Sequence, residues 1–256
     1  MAGRAAGKVV VVTGASQGQG AVEARALRDE GATVVAADVR DPVEPLDGIS
    51  YRRLDVSKLD DWTALADRLR AEHGTLHGLV NNAGITHREP VANVTPDDLD
   101  RVLGVNLSGP LLGIQALAPL MTDGGSIVNV SSLAGLTGHY AAAYTASKWG
   151  LRGVSRAACT ELGRLGIRVN AIFPGVMATP MVETPEAVTR RVLEEIPLGR
   201  PGTAEDIAPL IVFLISDESS WISGAEIAVD GGQSGHGGMK TLADAVRHAV
   251  EAAATT

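Results

Sequence analysis

Residues 8–20, KVVVVTGASQGQG, join a run of four valines to a loop that contains Gly14, Gly18 and Gly20. The valines predict a buried β-strand, and the glycine spacing predicts that the loop opens a helix. Glycines at such a turn let the backbone bend sharply and approach a pyrophosphate, whose charge is met by the helix N-terminus. A Walker loop is excluded, because Ala21 follows Gly20 where that motif requires lysine. The stretch therefore favours a dinucleotide-binding α/β fold.

The rest of the chain alternates between short β-branched runs and longer segments whose apolar residues recur with helical spacing. Six runs are predicted as buried strands: KVVVVTG, ATVVAAD, GLVNNAG, GSIVNVSS, GIRVNAIFPG and AEIAVDGG. This alternation predicts an α/β fold of the Rossmann type, a doubly wound parallel sheet in three layers with helices on both faces. We expect a single domain over residues 1–238, in which the cofactor and substrate sites lie together, and a helical tail over residues 239–256.

The composition argues against several classes of function. The chain of 256 residues has 22 basic and 30 acidic side chains and a formal charge of −8, whereas nucleic acids and anionic membranes call for a basic face. The single cysteine, Cys159, leaves no internal disulfide and suits a reducing compartment. The sequence has neither a signal-peptide core nor a long uninterrupted apolar run, so we expect a cytoplasmic protein with no membrane partner.

Asp38 closes the second predicted strand. A carboxylate at this distance from the glycine loop can accept hydrogen bonds from an adenosine ribose and repel a 2′-phosphate, which favours NAD over NADP. Arg40 is a complication, because an arginine near this turn could accommodate a phosphate. With Asp38 first and Asp41 alongside, NAD remains the expected cofactor. A capping role for Asp38 in the next turn is the simpler alternative.

Tyr144 lies one helical turn before Lys148 in the stretch AAAYTASKWG. Side chains at this spacing share a helix face, with Cβ atoms about 5–6 Å apart. A free phenol has a pKa of about 10 and exchanges protons poorly near neutrality. A nearby positive charge lowers that pKa. The pair is thus a candidate for acid/base chemistry, although a tyrosine and a lysine can share a surface by chance.

Six motifs in order resemble the short-chain dehydrogenase/reductase family: TGASQGQG, NNAG at Asn81–Gly84, NVSSLAG, YTASK, PGVMATPM and VDGG. The resemblance runs from Lys8 to about Gly232. Within this family the sequence is most similar to bacterial 3α(20β)-hydroxysteroid dehydrogenases, and the stretches YRRLDV and SSWISGAEIAVDGG add to the resemblance. It implies hydride transfer between a secondary alcohol or ketone and a nicotinamide cofactor, and a homotetramer.

The resemblance also implies a role for each matching residue. The catalytic tetrad would be Asn106, Ser132, Tyr144 and Lys148, with Asn106 holding a water. Lys148 would grip the nicotinamide ribose and, with the oxidised nicotinamide, lower the pKa of Tyr144. Ser132 would hydrogen-bond the substrate oxygen. The cofactor-binding residues would be Gly14, Ser16, Gln17, Gly18, Gln19, Gly20, Asp38, Asp55, Val56, Asn82, Ala83, Gly84, Tyr144, Lys148, Pro174, Gly175, Val176 and Thr179.

Two features depart from the family pattern. Gln19 stands where isoleucine or leucine is common, a change we expect to affect packing more than phosphate binding. The catalytic serine is also ambiguous, because the usual spacing to the tyrosine points to Ser131, whereas the SLAG context points to Ser132. Successive strand residues point to opposite faces, so only one of the two can serve. We choose Ser132 and leave Ser131 as a supporting hydroxyl.

Two other functions are also consistent with the sequence. A 3-oxoacyl-[acyl-carrier-protein] reductase and a non-catalytic dinucleotide sensor are the alternative functions. His87 and His139 are expected in the pocket wall or in solvent, and no spacing of His, Cys or carboxylates predicts a metal site. Trp149 is expected in the core or an interface.

An amphipathic stripe is predicted in the tail after residue 238, where apolar residues recur at helical spacing. We expect it to dock across a neighbouring subunit or over the pocket, and a frayed extension is the alternative. The stripe consists of Leu242, Ala245, Val246, Ala249 and Val250.

Overall fold

Seven parallel strands form one sheet in the computed structural model of the chain, which describes residues 3–178 and 186–254. In chain order the strands are β1 (Val9–Thr13), β2 (Thr33–Asp38), β3 (Ser50–Arg53), β4 (Gly78–Asn81), β5 (Gly125–Val130), β6 (Ile167–Pro174) and β7 (Glu226–Val229). Across the sheet they follow the order β3-β2-β1-β4-β5-β6-β7. The order reverses between β1 and β4, and in open α/β sheets such a reversal marks a ligand crevice at the carboxyl ends of the strands.

Helices cover both faces of the sheet. They are α1 (Gly18–Asp29), α2 (Leu59–His73), α3 (Pro96–Leu103), α4 (Gly109–Leu117), α5 (Ala142–Leu162), α6 (Glu186–Glu194), α7 (Ala204–Ile215) and α8 (Met239–Ala254). Side chains of α1 and α7 fill one core cluster, and those of α2, α4 and α5 fill the other. The predicted three-layer Rossmann-type fold is confirmed.

The valines of β1 explain why this strand lies in the middle of the sheet. Val10 and Val12 pack in the cluster under α1 and α7, while Val11 packs in the cluster under α2, α4 and α5. All three side chains are fully buried. A strand covered on both faces needs a continuous apolar run and cannot alternate with polar residues.

The edge strand β3 was missed by the sequence reading, which predicted six strands. Ser50–Arg53 pairs in parallel with β2 and is half-exposed. Its SYRR sequence is short and polar, as edge strands often are, and it carries no run of buried aliphatic side chains. The prediction of six strands is therefore corrected to seven.

A π-helical turn, Gly104–Ser108, joins α3 to α4 in one helical run, Pro96–Leu120. The run is long and apolar enough, by length and composition, to cross a membrane. A core helix has the same composition, and Val102, Ile114 and Leu117 of this run are buried inside the protein. The composition of this run is therefore not evidence for a membrane-spanning helix.

The tail forms α8, and the linker before it is fastened to the domain by a hydrogen bond between the Nε2 of His236 and the carbonyl oxygen of Glu195, 3.0 Å apart. Lys240 and Asp244 form an ion pair at 2.6 Å along the helix. Leu242 and Val246 of the predicted apolar stripe are each 55% exposed. Docking of the tail on another subunit stays a prediction.

Candidate active site

The glycine loop after β1 packs directly on the loop after β4. A Cβ placed on Gly14 would lie 2.7 Å from the Cα of Ala83, and one on Gly20 would lie 2.4 Å from the Nδ2 of Asn82. Those distances are too short for any side chain. Asn82 in turn donates from Nδ2 to the carbonyl oxygens of Thr13 and Gly14, at 3.0 and 3.2 Å. Its amide thus holds the glycine loop in place, and its role in binding the cofactor stays a prediction.

Gly18 has a different reason to be glycine. Its φ of +57° lies in the left-handed region, and a Cβ there would meet no atom within 4 Å. Helix α1 starts at this residue, and its N-cap residue makes no side-chain cap bond. The first amide N–H groups of a helix have no intrahelical partners, and such groups can bind a pyrophosphate. The predicted residues here fit a dinucleotide.

Asp38 is held rigidly at the end of β2. Its Oδ2 accepts from the backbone N–H of Ser16, and its Oδ1 accepts from the backbone N–H of Arg40, each at 3.1 Å. Each oxygen keeps a lone pair that a ribose hydroxyl could use. The guanidinium of Arg40 is exposed and forms no ion pair with Asp38 in the described part of the chain.

Asp55 and Val56 follow β3 and shape the adjoining wall. The Oδ1 of Asp55 accepts from the N–H and the hydroxyl of Ser57, at 3.0 and 2.7 Å. The carbonyl oxygen of Val56 accepts from the indole of Trp62 at 2.9 Å. These bonds fix the turn into α2, where the resemblance places two of the cofactor-binding residues.

Tyr144 and Lys148 share one face of α5, as their spacing predicts. The Nζ of Lys148 lies 5.7 Å from the centre of the Tyr144 ring. It donates to the carbonyl oxygen of Val130 at 3.0 Å, which anchors it to the end of β5. Lys148 is buried, with 3% of its surface exposed.

The two neighbouring serines point in opposite directions. Ser131 is buried, and its hydroxyl donates to the carbonyl oxygen of Lys148 at 3.1 Å. Ser132 is half-exposed, its hydroxyl lies close enough to Tyr144 to lower the pKa of the phenol, and it accepts from the N–H of Ala134 at 3.2 Å. The structure therefore brings Ser132 to Tyr144 and gives Ser131 a contact with the backbone of α5.

Asn106 is the buried residue of the π-helical turn Gly104–Ser108. Its Nδ2 donates to the carbonyl oxygen of Ile85 and to Ser147, and its Oδ1 accepts from the N–H of Ile85 at 2.8 Å. A Cβ on Gly84 would lie 3.4 Å from the Oδ1 of Asn106. The side chain thus fixes the loop after β4, and the water that the resemblance implies at Asn106 stays a prediction. A π-turn at such a position is typical of functional sites.

Burial shifts the pKa of both groups of the pair. It lowers the pKa of Lys148 to about 8. It also raises the pKa of Tyr144 above its ordinary value, and the neighbouring hydroxyl of Ser132 lowers it by less. The expected lowering of the pKa of Tyr144 requires the oxidised nicotinamide together with Lys148, so it stays a prediction. A further positive charge is needed to bring the pKa of the phenol down.

The far side of the crevice begins at the end of β6. Pro174 is buried in the sheet, and a Cβ on Gly175 would lie 2.7 Å from the Cβ of Asp230. Val176 is exposed and borders a cavity of about 200 Å³, also lined by Met177. Thr179, the last predicted cofactor residue, lies outside the described residues.

The remaining candidates have ordinary surroundings. His87 faces Asp98 across 3.2 Å, and the ring of His139 stacks on Tyr140. Trp149 is 44% exposed with the guanidinium of Arg152 over its ring, so it lies outside the core. Among residues 3–178 and 186–254, no group of three or more His, Cys, Asp or Glu side chains could hold a metal ion.

One notable residue of the glycine-loop helix was missed. Glu23 is fully buried on α1, and its Oε1 accepts from the Nε2 of Gln19 at 2.8 Å. The signal was available in the sequence, since position 23 lies one turn after Gln19 on the buried stripe of the helix.

Residues 14–234 match the family described as enoyl-(acyl carrier protein) reductase. A 3-alpha-(or 20-beta)-hydroxysteroid dehydrogenase of Mycobacterium tuberculosis (strain ATCC 25618 / H37Rv) is 42% identical over 242 residues, which cover 91% of each chain. A trans-4-hydroxycyclohexanecarboxylate dehydrogenase of Sinomonas cyclohexanicum is 41% identical over 90% of this chain and 94% of its own.

The fold is also similar to that of a solved structure. A crystal structure from Sinorhizobium meliloti 1021, assigned to the short-chain alcohol dehydrogenases, superposes with a TM-score of 0.82 at 35% identity. The match covers 89% of this chain and 96% of the other.

Proposed function

This chain belongs to the short-chain dehydrogenase/reductase family, and we propose that it interconverts a secondary alcohol and a ketone with NAD(H) as the hydride carrier. Its relatives are named dehydrogenases, so the protein is an oxidoreductase that acts on CH–OH groups. The observation that carries the proposal is the grouping of Ser132, Tyr144 and Lys148 beside the loop after β4, which packs on the glycine loop.

Tyr144 is the proposed general acid and base. Its phenol gives a proton to the ketone oxygen in reduction and takes one from the alcohol in oxidation. The hydroxyl of Ser132 lies beside the phenol, so a substrate oxygen that contacts both hydroxyls is oriented by two donors. Donors placed where negative charge develops on the substrate oxygen are worth several kcal/mol. NAD, when bound, supplies or accepts the hydride.

Lys148 is proposed to bind the nicotinamide ribose and to keep positive charge near the phenol. Its anchor on Val130 and its place beside Gly84 support this role. Asn106 is proposed as a positioning residue, because its side chain fixes the backbone of Ile85 next to Lys148.

Asp38 supports NAD over NADP. The carboxylate is fixed by two backbone N–H groups at the end of β2, so it cannot swing away from a 2′-phosphate. The negative charge would repel that phosphate, whereas the hydroxyls of an unmodified ribose can donate to it.

The substrate is proposed to be a cyclic or otherwise bulky apolar alcohol. The relatives named above act on a hydroxysteroid and on a hydroxycyclohexanecarboxylate. The test is a panel of steroid, cyclohexanol and cyclopentanol substrates with their ketones, each assayed through nicotinamide absorbance with NAD(H) and with NADP(H). Turnover of one alcohol/ketone pair with NAD(H) supports the proposal, and absence of turnover across the panel contradicts it.

The second candidate is a reductase of acyl-carrier-protein substrates, which the description of the matched family favours. Asp38 and the net charge of −8 count against it, since an acidic carrier protein needs a basic surface. A 3-oxoacyl thioester in the same panel separates the two. The named relatives are enzymes, which counts against a non-catalytic sensor.

We also propose a cytoplasmic homotetramer. Trp221 is 99% exposed, and Leu111 and Trp149 are also exposed, so apolar surface is available for subunit contacts. Light scattering on the purified protein measures the assembly directly.

A further inference from the structure

A buried carboxyl group lies directly behind the dinucleotide-binding loop. Glu23 has no exposed surface and lies on the inner face of α1 with Gly20, Ala24 and Leu27. Its Oε1 accepts from Gln19 at 2.8 Å, while its Oε2 is buried with no hydrogen-bond partner in the described part of the chain. An ionised carboxylate with one unpaired oxygen is costly in such a place.

No charged group in the described part of the chain bonds to Glu23. Strand β1 has no ionisable side chain, and the charged residues of α1, β2, α7 and the loop at residues 39–49 make no hydrogen bond or ion pair with it. Those residues are Arg25, Arg28, Asp29, Asp38, Arg40, Asp41, Glu44, Asp47, Glu205 and Asp206. Burial accordingly raises the pKa of Glu23 to about 8. The carboxyl is neutral at neutral pH and ionises under mildly alkaline conditions.

Gln19 connects this carboxyl to the loop. It stands between Gly18 and Gly20, so its backbone belongs to the phosphate-binding turn while its side chain reaches back to Glu23. Glu23 is about 8 Å along the helix axis from Gly18, at a rise of about 1.5 Å per residue. A negative charge so close, in a medium of low dielectric constant, opposes both the positive end of α1 and a bound pyrophosphate.

We propose that Gln19 and Glu23 form a proton-linked support for the dinucleotide: neutral Glu23 holds the loop through Gln19 for binding, and ionised Glu23 weakens binding. This inference rests on the proposed function, because it concerns the same NAD(H) site. Glu23 is a positioning residue in this scheme and touches neither cofactor nor substrate.

The experiment is the dissociation constant of NADH, followed by its fluorescence, from about pH 6 to about pH 9.5. We expect wild-type affinity to fall about tenfold or more across this range. Glu23→Gln, which cannot ionise, removes most of that fall. Lys148 titrates in the same range, so the informative quantity is the difference between wild type and variant, which share Lys148.

Two further variants complete the design. Glu23→Leu also cannot ionise and places an apolar side chain among apolar neighbours, so it serves where the glutamine variant folds poorly. Asp29→Asn is the matched control, because it removes an exposed carboxylate from the same helix and should leave the pH profile unchanged.

The outcomes separate the two proposals. If NADH binds and neither Glu23 variant alters the pH profile, the inference is overturned and the proposed function stands. If wild type binds no NADH at any pH, the proposed function fails and this inference fails with it. A profile that flattens in the Glu23 variants but not in Asp29→Asn supports the inference.

Discussion

The phenol of Tyr144 exchanges a proton in the proposed reaction and does not hold the cofactor. Tyr144→Phe should therefore lower kcat by about 10² to 10⁴ while the dissociation constant of NADH changes little. Steady-state kinetics measures kcat, and NADH fluorescence measures the dissociation constant of NADH. A variant that keeps a tenth of wild-type kcat, a loss of only about 1.4 kcal/mol, contradicts the assignment.

The two serines give a matched pair of variants. Ser132→Ala removes a hydroxyl that contacts Tyr144, and losing one such donor typically costs about 10² to 10³ in kcat. Ser131→Ala removes a bond to the backbone of α5, so it should lower the Tm and leave kcat nearly unchanged. Parallel measurements of kcat and Tm test the ranking, and the reverse order would transfer the role to Ser131.

Asp38→Ala should weaken the preference for NAD. The substitution removes acceptors for the ribose and the charge that repels a 2′-phosphate, so the ratio of kcat/KM for NAD to that for NADP should fall about tenfold or more. Arg40→Ala is the control. If wild type uses NAD and NADP with equal kcat/KM, the cofactor assignment is wrong.

At the scale of single residues, the sequence predicts some features of the candidate site and not others. Ser132 could be selected by its motif, and the structure brings it to Tyr144. The raised pKa of Tyr144 could not be foreseen, because it depends on how deeply α5 is buried. Glu23 was missed for the same reason: a charged side chain at an apolar helix position is interpreted as solvated until the packing around it is known.

Among the elements, α1 contains the buried Glu23, and its effect on folding stability can be measured as a function of pH. The pKa of Glu23 is about 8 in the folded protein against an ordinary value of 4.5. An acid with a raised pKa binds its proton more tightly when folded, so folding stability is greatest below the ordinary value and falls as pH rises toward about 8.

The difference in unfolding free energy between Glu23→Gln and wild type should therefore grow in favour of the variant over that window. Its total change is roughly 3–5 kcal/mol, at about 1.4 kcal/mol for each pKa unit. Urea unfolding of both proteins at several pH values measures it. Parallel stability curves for the two would show that Glu23 is already ionised in the folded protein.

Elements with strong periodicity were predictable and those shaped by tertiary contacts were not. Six strands were found because buried parallel strands need aliphatic runs, while β3 gives no such signal. The π-turn at Gly104–Ser108 lies inside an ordinary helical pattern. It depends on the bonds of Asn106 to Ile85, which join residues far apart in the chain.

At the scale of the whole molecule, removal of α8 tests whether the tail docks on a neighbouring subunit or over the pocket. Leu242 and Val246 are half-exposed on this helix, and a short isolated helix is marginal in water. Truncation after Gly238 should lower the Tm and raise KM if the tail docks on a neighbouring subunit or over the pocket. Light scattering, melting curves and KM together decide; if mass, Tm and KM all stay at wild-type values, the docking prediction is wrong.

The central position of β1 affects how the chain is made. β1 is synthesised first, and it pairs with β2, which follows soon after, and with β4, which begins only at Gly78. Until β4 leaves the ribosome, one edge of the valine strand has no partner from its own chain. Unpaired apolar edges invite pairing with other chains. The nascent polypeptide is therefore expected to be most prone to aggregation, and most in need of chaperones, after β1 and β2 have left the ribosome and before β4 has done so.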